Sequence, residues 1–346
     1  MKLSFGLFGL NCNSGLTFTK QKPWTAEWEK IKNTVLLSEK LGFAFILPIS
    51  AWLHYGGSTN PHHKVLDTFA FASALSQITK KIKLYYTVHV PFINPIFAAK
   101  ISSTISEISN NRTGINLVCG WSKKNHELFG LKDFENFSKT RYDFSQEWVY
   151  IFTKTLTSKK VFNFKGKYLN AKNVDLKPKI SLKKFDLISA AYSNSGREFA
   201  IKNCNIIFTT FSEIEKTRFH NEKIINNASI LNKKIKIYTP LHVVCKNSRS
   251  EAEDFYRSYS DKNGDFKAAK NFINLMSDKS IKAINLKRVN LFTGSLGFKT
   301  LIGNPKDITE QIYEIKKAKF DGLALGFHNY EKEIPFFYDK VMKKFI

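Results

Sequence analysis

The chain has 346 residues, 43% of them hydrophobic and 14% aromatic, enough apolar side chain for a sizeable core, so disordered and fibrous classes are excluded. Its formal charge is +25, from 54 basic and 29 acidic residues. The lysines lie scattered in short groups and arginine, the better residue for bidentate phosphate or base recognition, is sparse, so the charge reads as surface character and no nucleic-acid partner is expected.

The N-terminus faintly imitates a secretory signal, because Met1-Lys2 precedes the apolar run 3–10. Gly6 and Gly9 interrupt that run and no small-residue cleavage site follows, so the segment reads as a strand. No later run approaches the roughly 18 apolar residues that span a bilayer, and no membrane partner is expected. Cys12, Cys119, Cys204 and Cys245 lack C-x-x-C spacing, which fits free thiols in a reducing cytoplasm.

Trp28, Ile31 and Val35 then recur at helical spacing until Gly42 stops the helix. Residues 43–49 form a second apolar run, and 66–75 a second helix behind a Gly, Ser and Pro-rich loop. Residues 82–90 are rich in β-branched and aromatic side chains and read as a strand. Phe97, Ile101, Ile105 and Ile108 supply the buried stripe of the next helix. Residues 113–119 are a strand, and after a long loop Phe144, Trp148 and Ile151 mark another helix. Residues 161–169, split by Gly166, read as an inserted hairpin. Further strands are expected at 185–190, 205–208 and 235–244. Residues 246–300 break the alternation and read as a charged, helical insertion. Asn304-Pro305 with Asp307 combines an N-cap, an N1 proline and an acidic first turn, with Ile308, Ile312 and Ile315 on one face. Residues 320–327 close the series.

Strands alternating with helices predict βαβ units and a parallel sheet. Eight strand candidates match a closed (β/α)8 TIM barrel, with a doubly wound sheet as the alternative. Neither a G-x-G-x-x-G fingerprint after the first strand nor a P-loop occurs. A single domain over 1–346 is expected, with insertions near 161–170 and 246–300.

In such a barrel the site lies at the C-terminal ends of the strands. That draws attention to Ser50 and Trp52, Thr87 and His89, Asn116 to Trp121, Ser193 and His328. Asn116 stands out, since an amide inside the run Ile115 to Val118 must satisfy both its donors and its acceptor. His62-His63 has no accompanying carboxylate and reads as a pair of solvated loop residues, so no metal site is expected. No G-x-S-x-G elbow appears, and hydrolytic triads gain no support.

Together, "INLVCGWSKKNHELFG" at 115–130, "SKTRYDF" at 138–144, "FKGKYLNAKNVDLKPKI" at 164–180 and "TLIGNPKDITEQI" at 300–312 resemble the bacterial luciferase-like, flavin-dependent monooxygenases. The order N-[LI]-V-x-G-W, R-Y, F-[KR]-G-x-[FY] is similar to the pyrimidine, dimethylsulfone and alkanesulfonate monooxygenases. The resemblance implies a barrel enzyme that takes reduced FMN from a partner NAD(P)H:flavin reductase and uses O2 to oxygenate a small molecule. It also implies a homo-oligomer. By position, it gives Asn116 a contact to the flavin, Arg141, Tyr142 and Ser193 its phosphate, and Ser50 and Ala51 its ring. Thr87 falls where the family has a hydroxyl near the reacting edge, so Thr87 and Asn116 are the implied catalytic pair. Asn125, counted with the cofactor set, stands where the pyrimidine enzymes have Glu. Ala51 replaces a basic residue, and Asn110-Asn111 replaces Gly-Gly. A flavin-binding protein without turnover, or a basic polyanion binder, is the alternative.

Overall fold

A computed structural model describes residues 2–277 and 285–346. The part of the expected insertion that falls on residues 278–284 lies outside the described residues. Four β/α units open the chain: β1 (Ser4–Phe8), α1 (Trp28–Lys40), β2 (Phe45–Leu47), α2 (Thr68–Ile78), β3 (Lys83–His89), α3 (Pro95–Ile108), and β4 (Thr113–Val118) with the short α4 (Lys123–Leu128) and α5 (Phe134–Thr157). The hairpin β5 (Phe162–Lys165) and β6 (Asn170–Val174) precedes β7 (Asp186–Ala190), α6 (Asn194–Asn203), β8 (Ile206–Phe208) and α7 (Ile214–Ile230). After β9 (Lys236–Cys245) come α8 (Arg249–Arg257), a π-helical turn at Ser258–Lys262, α9 (Phe266–Ser277) and α10 (Leu286–Ser295). The chain then runs through β10 (Lys299–Gly303), α11 (Pro305–Lys317), β11 (Gly322–Phe327) and α12 (Tyr330–Lys340).

Parallel pairing in the order β9-β11-β1-β2-β3-β4-β7-β8 returns from β8 to β9, which closes an eight-stranded barrel. These are the eight strands expected from the sequence. A ninth parallel strand, β10, was not expected; it pairs with the C-terminal half of β9 outside the ring. β9 has ten residues, so its first half can pair with β8 and its second with β10.

Among the described residues no helix is long and apolar enough to cross a membrane. Asn304 and Asp307 form a complete capping box around Pro305, and Ile308, Ile312 and Ile315 are buried. Asn110 and Asn111 both have positive φ, 55° and 61°, a conformation that asparagine tolerates better than most side chains. All four cysteines are buried and free.

The stripe expected on α3 is wrong in part, since Phe97 is 61% and Ile108 45% exposed. The buried face consists of Ala98, Ala99, Ser102, Ser103, Ile105 and Ser106, small residues that let the helix approach the sheet closely. α5 begins ten residues before Phe144, inside the expected loop, so Arg141 and Tyr142 are helical. The hairpin's second arm extends beyond the expected end at 169, because the turn lies around Gly166 and the returning strand is 170–174.

Candidate active site

A cavity of about 560 Å³ opens at the C-terminal ends of the barrel strands. It brings together Ser50, Ala51, Thr87, Asn116, Asn125, Arg141, Tyr142 and Ser193, residues drawn from four separate β/α connections and strands.

One end is built for an anion. Ser193 caps α6, its hydroxyl accepting the Gly196 N–H at 3.1 Å, and lies 3.2 Å from the Tyr142 hydroxyl. A Cβ on Gly196 would meet that hydroxyl at 2.8 Å, so glycine keeps the helix end open. The Arg141 guanidinium lies beside the Tyr142 ring and, among the described residues, donates to the Gly120 carbonyl at 3.5 Å and pairs with no carboxylate. Such an arginine beside a helix N-terminus makes a positive locus with free donors.

In the middle, parallel register sets Thr87 of β3 opposite Asn116 of β4. The Asn116 Nδ2 donates to Thr87 Oγ1 at 3.2 Å, and that hydroxyl donates to the Pro48 carbonyl at 2.7 Å. The only proton on Thr87 is therefore committed, and its role in this arrangement is to orient the amide. Among the described residues neither Asn116 Oδ1 nor Asn125 Oδ1, both buried acceptors, has a partner, an arrangement that costs about 1–3 kcal/mol each until a donor arrives. His89 Nε2 lies 3.1 Å from the Ser50 carbonyl and must carry the ring proton to donate there. Burial pushes its pKa down to about 4, so the ring is neutral near pH 7.

The far side is apolar and comes from the segment after β9. Phe272, Leu275 and Met276 of α9, Phe292 of α10, and Leu296 and Phe298 just after it all line the cavity. Polar contacts tie this segment down: Asp265 accepts from the Thr59 N–H at 2.7 Å and the Thr59 hydroxyl at 2.8 Å, and Asn271 Nδ2 donates to the Tyr55 carbonyl at 2.8 Å. The Phe18 N–H donates to the Thr293 carbonyl at 2.8 Å. None of these lining residues was singled out from the sequence. The signal was present as Phe272 with Leu275 and Phe292 with Leu296, apolar pairs at helical spacing within a charged stretch.

Two expectations fail. His62 is no solvated loop residue: it is buried, its Nε2 lies 2.9 Å from the Gly15 carbonyl, and its ring packs on Phe18 and Tyr55. The returning loop folds over the barrel mouth and carries His62 inward, while His63 stays exposed. His328, the rim candidate after β11, is not among the cavity-lining residues; it stacks on Tyr259 at 4.6 Å, because the π-helical turn fills the space above that strand. Among the described residues no group of three or more His, Cys, Asp or Glu could hold a metal ion.

A cationic end with buried amide oxygens beside it fits a flavin, whose phosphate and planar ring with hydrogen-bonding edges lie apart, and leaves the apolar far side beyond it. The profile of the luciferase-like monooxygenases matches residues 3–322, and the chain belongs to that family. It is a flavin-dependent monooxygenase. It is 24% identical over 349 residues to pyrimidine monooxygenase RutA of Acinetobacter baylyi, across 98% of this chain and 94% of that protein. Its fold superposes on crystalline DmoA from Hyphomicrobium sulfonivorans with a TM-score of 0.87 at 17% identity, covering 99% of this chain and 88% of the other. A riboflavin lyase solved with modified FMN and riboflavin gives a TM-score of 0.86, also at 17% identity, over 99% and 91% of the two chains. These likenesses to solved structures extend to the fold.

Proposed function

We propose that the protein oxygenates a small organic molecule with O2 and reduced FMN, the flavin arriving from a separate NAD(P)H:flavin reductase. The observation that carries this reading is the alignment, within one cavity, of an arginine at a helix N-terminus with amide oxygens on neighbouring walls, the one without a carboxylate and the others without a donor among the described residues. Arg141, Tyr142 and the capped end of α6 hold the phosphate, with the fixed guanidinium fork and two hydroxyls sharing its oxygens. Asn116, oriented by Thr87, presents its carbonyl oxygen to a ring N–H, and Asn125 offers a second acceptor. Ser50 and Ala51 line the ring, their small side chains leaving width for a planar group. Bound reduced FMN supplies the electrons that activate oxygen, and the protein contributes orientation, dryness and charge placement.

Neutral His89 adds no competing charge beside the ring. The substrate classes that the resemblance brings are a pyrimidine ring and a small sulfone or sulfonate, and relatives named pyrimidine monooxygenase favour an uncharged planar ring over an anion. The test is incorporation of 18O from 18O2 into product when reduced FMN and a substrate panel are supplied, with hydrogen peroxide release followed alongside. Tight FMN binding with no product and no substrate-dependent change in peroxide release across the panel would favour a flavin-binding protein without turnover.

A further inference from the structure

The barrel order places the cationic end and the apolar wall on opposite sides of the mouth. β7, whose following helix α6 carries Ser193, stands four strands from β1 in the ring of eight. The segment after β9 docks on the loops that follow β1 and β2, through Phe18, Tyr55 and Thr59. A ligand anchored at Arg141 therefore points its other end toward α9 and α10. There the wall is a connected set of rings: Tyr55 meets Phe272 at 4.6 Å, Phe272 meets Phe292 at 5.8 Å, and Phe18 packs edge-on to Phe272 at 5.8 Å. Rings fixed against one another present faces and edges that favour another aromatic ring.

Charge points the same way. Among the described residues lining the cavity, Arg141 is the one side chain of formal charge, and it lies at the phosphate end. Both lining histidines are neutral at physiological pH, since burial brings His62 and His89 down to about 4. Among the described residues none offers a countercharge to a sulfonate or carboxylate in the far lobe, and a desolvated anion without one is an arrangement that proteins avoid.

We infer that the far lobe, walled by Tyr55, Phe272, Leu275, Phe292 and Leu296, receives an uncharged, apolar aromatic ring, and that anionic substrates such as sulfonates are rejected there. The inference deepens the monooxygenase reading and rests on it for the position of the flavin.

The test uses 2-naphthol and naphthalene-2-sulfonate, which share a ring system and differ in charge, with uracil as a polar neutral ring. Affinities are measured on the full chain loaded with FMN, from changes in the flavin absorption spectrum, and FMN itself is titrated separately. 2-Naphthol is expected to bind at least tenfold more tightly than either other probe. Phe292→Ala should weaken it severalfold, whereas Met276→Arg, at a half-exposed edge of the lobe, should narrow or reverse the preference over the sulfonate with FMN affinity kept within twofold. Equal or tighter sulfonate or uracil binding, failure of 2-naphthol to bind, or its competition with FMN would overturn the inference. If FMN fails to bind while the flavin-free protein still prefers 2-naphthol by tryptophan quenching, the flavin reading falls and the apolar lobe stands.

Discussion

The two ends of the barrel are made from the same strands and treat polar groups in opposite ways. At the N-terminal floor, Phe45 stacks on Tyr238 at 5.1 Å and lies 5.4 Å from Tyr85. The Tyr85 hydroxyl donates to Asp186 Oδ2 at 2.9 Å, Asn205 donates to Oδ1 at 3.0 Å, and Lys83 pairs with the same carboxylate. Gly6 makes room for this plug, since a Cβ there would meet the Phe45 ring at 2.3 Å. At the C-terminal mouth, among the described residues, the amide oxygens of Asn116 and Asn125 go unpaired and Arg141 has no carboxylate partner. A satisfied floor stabilises, and an unsatisfied mouth is available to a ligand, which is the usual division of labour in this architecture.

The contrast breaks most visibly at the floor. Phe45→Ala removes a fully buried ring and should cost about 3–5 kcal/mol of stability. Urea unfolding would show the loss, while FMN affinity of the folded fraction should stay near wild type; an equal loss in both would mean the two ends are not separable. Arg141→Ala should do the reverse, weakening FMN binding by roughly 1.5–3 kcal/mol, the worth of a hydrogen bond to a charged group. Its unfolding midpoint should hardly move, because among the described residues the side chain makes a long contact to Gly120 and a cation–π contact to the neighbouring Tyr142 ring, and no ion pair. An unchanged FMN dissociation constant would remove Arg141 from the phosphate site.

Asn116→Ala sharpens the comparison within the mouth. Losing the amide should cost about 1–3 kcal/mol, expressed as less product per reduced FMN consumed rather than as unfolding. Asn116→Asp keeps the shape and adds negative charge where a flavin and activated oxygen carry their own, so it should be the worse of the two. Wild-type coupling and affinity in both variants would make Asn116 an ordinary core amide.

A further effect concerns pH, and per pH unit it is modest. His62 is held neutral by burial, which overrides the opposing pull of the Gly15 carbonyl, and its pKa falls from 6.5 to about 4. The folded value lies below the unfolded one, so this contribution is complete above pH 6.5 and is lost as the unfolded chain takes up a proton between 6.5 and 4. One proton corresponds to about 1.4 kcal/mol per pH unit at most. His62→Gln should flatten the stability profile over that window by about one proton, and an unchanged slope would mean that His62 is not buried neutral in solution.

Local patterns made much of this fold legible. β-branched runs at 82–90 and 113–119 lie on strands, and the box at Asn304-Pro305-Asp307 starts a helix, because each is decided by neighbours within four residues. Phe97 and Ile108 misled because hydrophobic spacing reports that a face is apolar and not which face the sheet meets; on α3 close approach selected alanine and serine instead. His62 misled for a related reason, as a loop's polarity in sequence says nothing about whether it folds back over a mouth.

The cavity divides along the same line. The motifs 115–130 and 138–144 marked Asn116, Asn125, Arg141 and Tyr142, whose types alone suggest amide and phosphate contacts. Their convergence on one cavity with Ser50, Thr87 and Ser193 depends on barrel closure, which brings the ends of β2, β3, β4 and β7 to a common rim. The place of the apolar lobe was decided by tertiary structure, even though its apolar pairs stand at helical spacing in the sequence. Its rings lie more than two hundred residues from Tyr55 in the chain and meet it only because Asp265 and Asn271 dock the segment after β9 onto the β2 loop. Composition and periodicity determined the strands, the helices and the class of fold; contacts between distant segments determined what the mouth can hold, since pairing at that separation is set by packing and not by local propensity.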